Sequence, residues 1–112
     1  MKKKKIIFRG KLHNDGRWIK WTLIGAIFAS RKIEVDFETV GVYTGFKDKN
    51  GEQIFEGDIV KIINFIGVAA FDENGNPCVK NLNDNSYLIY DNKDYCEILG
   101  NIYDNPELLK GE

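Results

Sequence analysis

Histidine, methionine, proline and cysteine are nearly missing: the 112 residues include one His, one Met, two Pro and two Cys. The lone His13 sits in a predicted turn with no paired cysteine nearby, so a zinc site has too few soft ligands. A nucleophile–histidine arrangement would have to run through His13, and the sequence singles out no partner for it. Cys78 and Cys96 stand eighteen residues apart and read as packed thiols, although spacing alone leaves a disulfide open. The nucleotide-binding patterns GxGxxG and GxxxxGK[ST] are absent. The chain is therefore expected to carry no catalytic site, no metal and no cofactor.

Long apolar runs are missing too. The longest uncharged stretches, residues 21–30 and 62–71, are ten residues each, against about 20 for a membrane-spanning helix. Arg9 and Lys11 interrupt the first apolar stretch at once, so no signal-peptide core follows the basic start. The expectation is a cytosolic protein with no membrane partner.

What is present is the composition of a globular protein, 43% hydrophobic and 29% charged. The length suits one domain, residues 1–112. The net charge of −1 conceals a split. Residues 1–32 carry ten Lys/Arg and one acid, a net +9, while residues 33–112 carry six and sixteen, a net −10. Such asymmetry suits a nucleic-acid patch, docking of one part on the other, or self-association into a homo-oligomer.

Strand patterns dominate. Residues 4–12 and 17–23 flank Asp15-Gly16, a tight-turn signal, and read as a β-hairpin. In the second arm Ile19, Trp21 and Leu23 alternate with Trp18, Lys20 and Thr22, the period of a half-buried strand. Residues 24–30 are apolar and fit a buried strand or an exposed contact segment. Residues 32–37 alternate, with Ile33, Val35 and Phe37 on one face. Residues 39–46 form another strand, its Tyr43 flanked by Gly41 and Gly45. The Asn50-Gly51 turn leads to a return strand at 53–55. After Glu56-Gly57-Asp58, residues 59–66 are apolar on both faces and predict one central strand, which residues 67–71 continue or pair with. A turn at 72–77 and strands at 87–90 and 95–103 follow. Asn105-Pro106-Glu107 predicts a short C-terminal helix. The expected fold is mainly β: a small antiparallel sheet or barrel-like domain of seven to nine strands.

Two surfaces stand out. Ile24, Ile27, Phe28 and Tyr43 are candidates for protein contact, because exposed aromatic and apolar groups anchor interfaces. Arg17, Trp18 and Lys20 are candidates for nucleic acid, since a ring among cations is how single strands are held; the acidic remainder opposes that reading. Glu56 and Asp58 have the spacing of an acid–base or Mg²⁺ pair, but as turn residues they fit better as caps on local amides.

Residues 43–60 (YTGFKDKNGEQIFEGDIV) and 98–109 (ILGNIYDNPELL) resemble the two signature segments of the YopX-like family of phage and prophage proteins. Residues 8–18 (FRGKLHNDGRW) resemble its opening segment. Phe46 and Phe55 depart from the pattern, standing where Leu and Tyr are expected, and the region between the blocks is short. The resemblance implies a phage or mobile-element origin, a mostly β fold with barrel-like elements, and self-association. It supplies no mechanism and no functional residue. With the composition, it points to a non-enzymatic accessory protein that binds a host or phage protein, blocking or redirecting a host or defence factor. Nucleic-acid binding through the basic hairpin is the alternative.

Overall fold

A computed structural model describes residues 6–22, 35–62, 64–81, 87–89 (as backbone) and 96–109. The chain divides into two compact units, Met1–Tyr43 and Thr44–Glu112. The expected apolar segment at 24–30 lies outside the described residues.

The N-terminal unit holds the predicted hairpin. Strands β1 (Ile7–Lys11) and β2 (Trp18–Thr22) pair antiparallel, with Phe8 opposite Trp21 and Lys11 opposite Trp18. β1 also pairs with the start of β3 (Gly41–Lys47), Arg9 lying opposite Gly41. The expected strand at 32–37 is corrected where it is described: Val35 makes one bridge to Leu12, and Phe37–Thr39 is a 3-10 turn. The cause is local. Thr39 Oγ1 donates to the Asp36 carbonyl at 2.6 Å and the Thr39 amide donates to it at 2.9 Å, which curls the chain before alternation can continue.

The C-terminal unit contains the end of β3, β4 (Gln53–Phe55), β5 (Asp58–Ile62), β6 (Phe65–Phe71), β7 (Pro77–Lys80), β8 (Tyr87–Ile89) and β9 (Cys96–Asn101). The last five form an antiparallel sheet in the order β8-β7-β6-β5-β9. The expected single strand at 59–66 is in fact a hairpin. Ile62 pairs with Phe65, so the chain reverses over two residues, and Asn64 is an exposed turn residue. β5 is nevertheless interior, between β6 and β9, and its neighbours Ile59 and Val60 are both fully buried, one on each face. Ile54, Val60, Ile62, Ala69, Val79 and Cys96 form the core, with Phe46, Phe65 and Ile98 packed against it.

The C-terminal helix is corrected to a 3-10 turn, Pro106–Leu109. The Asn105 side chain reaches back to accept from the Asn101 amide at 3.2 Å, tying the turn to the end of β9. Both cysteines are free and buried, and β6 and β5 lie between their strands. Three strand spacings are about 14 Å, beyond the roughly 7 Å Cα separation a disulfide tolerates.

Two turns use one device. In residues 48–52 and 72–76, each Asp-x-Asn-Gly-x, one carboxylate oxygen of the leading Asp accepts two later amides. Asp48 Oδ1 takes Asn50 at 2.8 Å and Glu52 at 2.9 Å; Asp72 Oδ1 takes Asn74 at 2.9 Å and Asn76 at 2.8 Å. Among the described residues, only the first turn bonds to a strand that it does not itself connect. Asp48 Oδ2 accepts from the Ile98 amide at 3.3 Å and the Lys49 amide donates to the Cys96 carbonyl at 2.8 Å, covering part of the outer edge of β9.

Candidate functional site

Alternation along the strands sorts the N-terminal sheet into two faces. Phe8, Gly10, Ile19, Trp21 and Val42 share one. The Phe8 and Trp21 rings stack with centroids 6.0 Å apart. A side chain at Gly10 would come within 2.6 Å of Val35 and 3.2 Å of Val40, so glycine is what lets those valines close over β1.

Arg9, Lys11, Trp18, Lys20, Gly41 and Tyr43 share the other face. The charged residues on this face of the strands are all cations. The Arg9 guanidinium lies 4.6 Å from the Trp18 ring centroid and Lys11 Nζ 5.7 Å from it, both within cation–π range. The structure thus puts Tyr43, read from sequence as a protein contact, on the same face as Trp18 and Lys20, read as nucleic-acid contacts. Arg17 is set apart at the turn: its Nε donates to Asp15 Oδ2 at 2.8 Å and its amide to Asp15 Oδ1 at 3.0 Å. These contacts, the amide first, hold the Asp15 carboxyl below its usual range. Trp18 is half-buried and Lys20 exposed. Ile24, Ile27 and Phe28 lie outside the described residues.

The sequence reading missed Phe37. It is 91% exposed at the apex of its 3-10 turn, whereas Thr39 in the same turn is buried. The turn is fastened from both sides: the Asp36 amide donates to the Lys11 carbonyl at 2.9 Å, and the Lys11 amide donates to Thr39 Oγ1 at 2.9 Å. Asp36 Oδ1 is 2.8 Å from Nδ1 of exposed His13. Asp36 and Thr39, both turn formers, were the signal against a strand here.

Of the two carboxylates flagged for chemistry, Asp58 is engaged otherwise. Asp58 is buried, and its Oδ2 accepts from the Phe55 amide at 2.8 Å, a cap on the Glu56-Gly57 turn. Among the described residues no group of three His, Cys, Asp or Glu is placed to hold a metal ion.

The segments that carried the resemblance meet one another. Asp48 binds Ile98, β5 pairs with β9, and the Ile102 amide donates to the Gly57 carbonyl at 3.0 Å. Gly57 has φ +97°, and a side chain there would meet the Tyr103 ring at 3.2 Å, so both backbone and space call for glycine. The family model described as YopX protein matches residues 3–110. The chain belongs to the YopX family. A search of curated proteins finds no match. The YopX segments at 43–60 and 98–109 build the scaffold of the C-terminal unit, so their resemblance follows from folding and does not by itself mark a binding site. Among the described residues no helix is long and apolar enough to cross a membrane.

Proposed function

We propose that this YopX-family protein is a non-enzymatic binding module acting by protein–protein contact through its N-terminal unit. One observation carries the reading. Among the described residues every buried large apolar side chain belongs to the C-terminal unit, while those of the N-terminal unit, from Phe8 and Trp18 to Tyr43, all stay partly accessible. One unit supplies stability and the other supplies surface, rich in the Trp, Tyr and Arg that anchor interfaces. Asp48, Asp58 and Asp72, which cap backbone amides, support a scaffold rather than an active-site role for these acids. With its family, the reading makes the protein a phage or prophage accessory that binds a host or phage protein in the bacterial cytoplasm and blocks or redirects it.

Nucleic acid is the competing partner. Charge favours it in part: Met1–Tyr43 carries ten Lys/Arg and four acids, a net +6, and Thr44–Glu112 six and thirteen, a net −7. Local geometry weighs against it, because Arg17 is engaged by Asp15 and the Trp18 ring already has Arg9 over it. Fluorescence anisotropy with single- and double-stranded DNA and RNA, at low and physiological salt, separates the two. The expected result is weak binding at low salt that vanishes at physiological salt. Tight binding with a steep salt dependence, weakened by Trp18→Ala, would put nucleic acid first.

A further inference from the structure

Phe37 differs from the other accessible apolar groups. Isolated surface hydrophobics are ordinary, and Ile6, Leu99 and Leu108 are 51%, 37% and 37% exposed. Phe37 is 91% exposed, on a turn whose backbone is fastened to β1. Asp36 and Thr39 are hydrogen-bonded to each other and, through their amide and hydroxyl, to Lys11 on β1; the Val40 amide closes the turn on the Phe37 carbonyl at 3.1 Å. A fastened turn loses little backbone freedom when its tip binds, a condition that favours conversion of burial into affinity.

Its neighbours define what it fits. Asp36 and Glu38 flank the ring; Asp36 Oδ1 is 2.8 Å from His13 Nδ1, and Glu38 is exposed and carries the outward charge of the tip. An apolar pocket rimmed by carboxylates would repel this tip, whereas one rimmed by Lys or Arg attracts and orients it. We propose that Phe37 is an anchor that inserts into an apolar, Lys/Arg-rimmed pocket on a partner protein. This rests on the reading of the N-terminal unit as a protein-contact surface and names both the contact and the chemistry of its partner.

The test is site-specific photo-crosslinking in the bacterial host, with p-benzoyl-phenylalanine replacing Phe37 in the full chain and, separately, replacing Tyr43. The expected result is a discrete protein adduct from position 37, its linked residue mapping to an apolar pocket edged by Lys or Arg. Glu38→Lys should lower the adduct yield severalfold, and Phe37→Ala should weaken binding of the identified partner about tenfold or more. An adduct from position 43 without one from 37 overturns the anchor and leaves the protein-contact reading standing. Adducts from neither position overturn both. An adduct from 37 to nucleic acid, to this chain itself, or to a surface without a basic rim also overturns the proposal. Phe37 is exposed, so its variants should fold, and circular dichroism against the parent checks this.

Discussion

Removing the Asp48 carboxylate should destabilise the protein more than removing its counterpart in the second turn of the same kind. Asp48 is 8% exposed and accepts three amides, from Asn50, Glu52 and Ile98. Hydrogen bonds to a charged acceptor contribute about 1.5–3 kcal/mol each. Asn50 and Glu52 are exposed, so water takes over part of their share. The Ile98 amide, fifty residues away, loses the contact that joins the turn to β9. Asp48→Ala should therefore cost about 2–4 kcal/mol. Asp48→Asn should cost less, because one oxygen can still serve the turn while the amide nitrogen faces the Ile98 donor. Asp72 caps its own turn in the same way but has no such tertiary link, its Oδ2 lying 3.4 Å from Asn76 Nδ2, so Asp72→Ala is the control and should cost least. Urea denaturation followed by far-UV circular dichroism gives the three values. If Asp48→Ala is no more destabilising than Asp72→Ala, the link between turn and sheet contributes nothing and the reasoning fails.

Ile62→Asp, at a position 3% exposed, buries an unpaired carboxylate and should cost several kcal/mol or prevent folding; a melting temperature within a few degrees of the parent would contradict the core. Burial pushes the Cys78 thiol up and Cys96 is buried, so a thiol reagent should find both slow in the native protein and two free thiols after denaturation without reductant. The Asn76 amide is the main group holding the Asp72 carboxyl below its usual range. A carboxyl lowered on folding contributes stability above its unfolded value of about 4, and loses it as pH falls through the lowered folded value. Asp72→Asn should thus flatten the fall in stability below about pH 4, read from thermal melts across pH, and an unchanged profile would contradict the role.

Much of the fold was legible because local signals agreed. Asp15-Gly16 between a β-prone first arm and an alternating second arm specified the first hairpin, and Asn50-Gly51 with the acid before it specified the turn after β3. The apolar run 59–66 hid a reversal, since a strand covered on both faces and a two-residue hairpin look alike when the only polar interruptions are Lys61 and Asn64. The C-terminal signature starts a helical turn as expected, but the Asn105 side chain is engaged with the Asn101 amide and Pro106–Leu109 closes as a 3-10 turn. Phe37 was misplaced because period-2 alternation outweighed Asp36 and Thr39, where the Thr39 hydroxyl and amide on the Asp36 carbonyl curl the chain. On the candidate surface, residue types were readable. The register that puts Tyr43 on the same face as the Arg9–Trp18 pair depends on β1–β3 pairing across some thirty residues and was not. Nor could the Asp48–Ile98 contact be inferred from a turn motif that occurs twice.

The central claim is that the N-terminal unit makes contact with a protein. Its most direct test is affinity capture of the full chain from a nuclease-treated lysate of a bacterial host, read by quantitative mass spectrometry beside Trp18→Ala and Tyr43→Ala. The account predicts a protein retained after nuclease treatment and depleted from both variants, with the variants as well folded as the parent. Capture that disappears with nuclease, or a retained partner that neither substitution weakens, would contradict it.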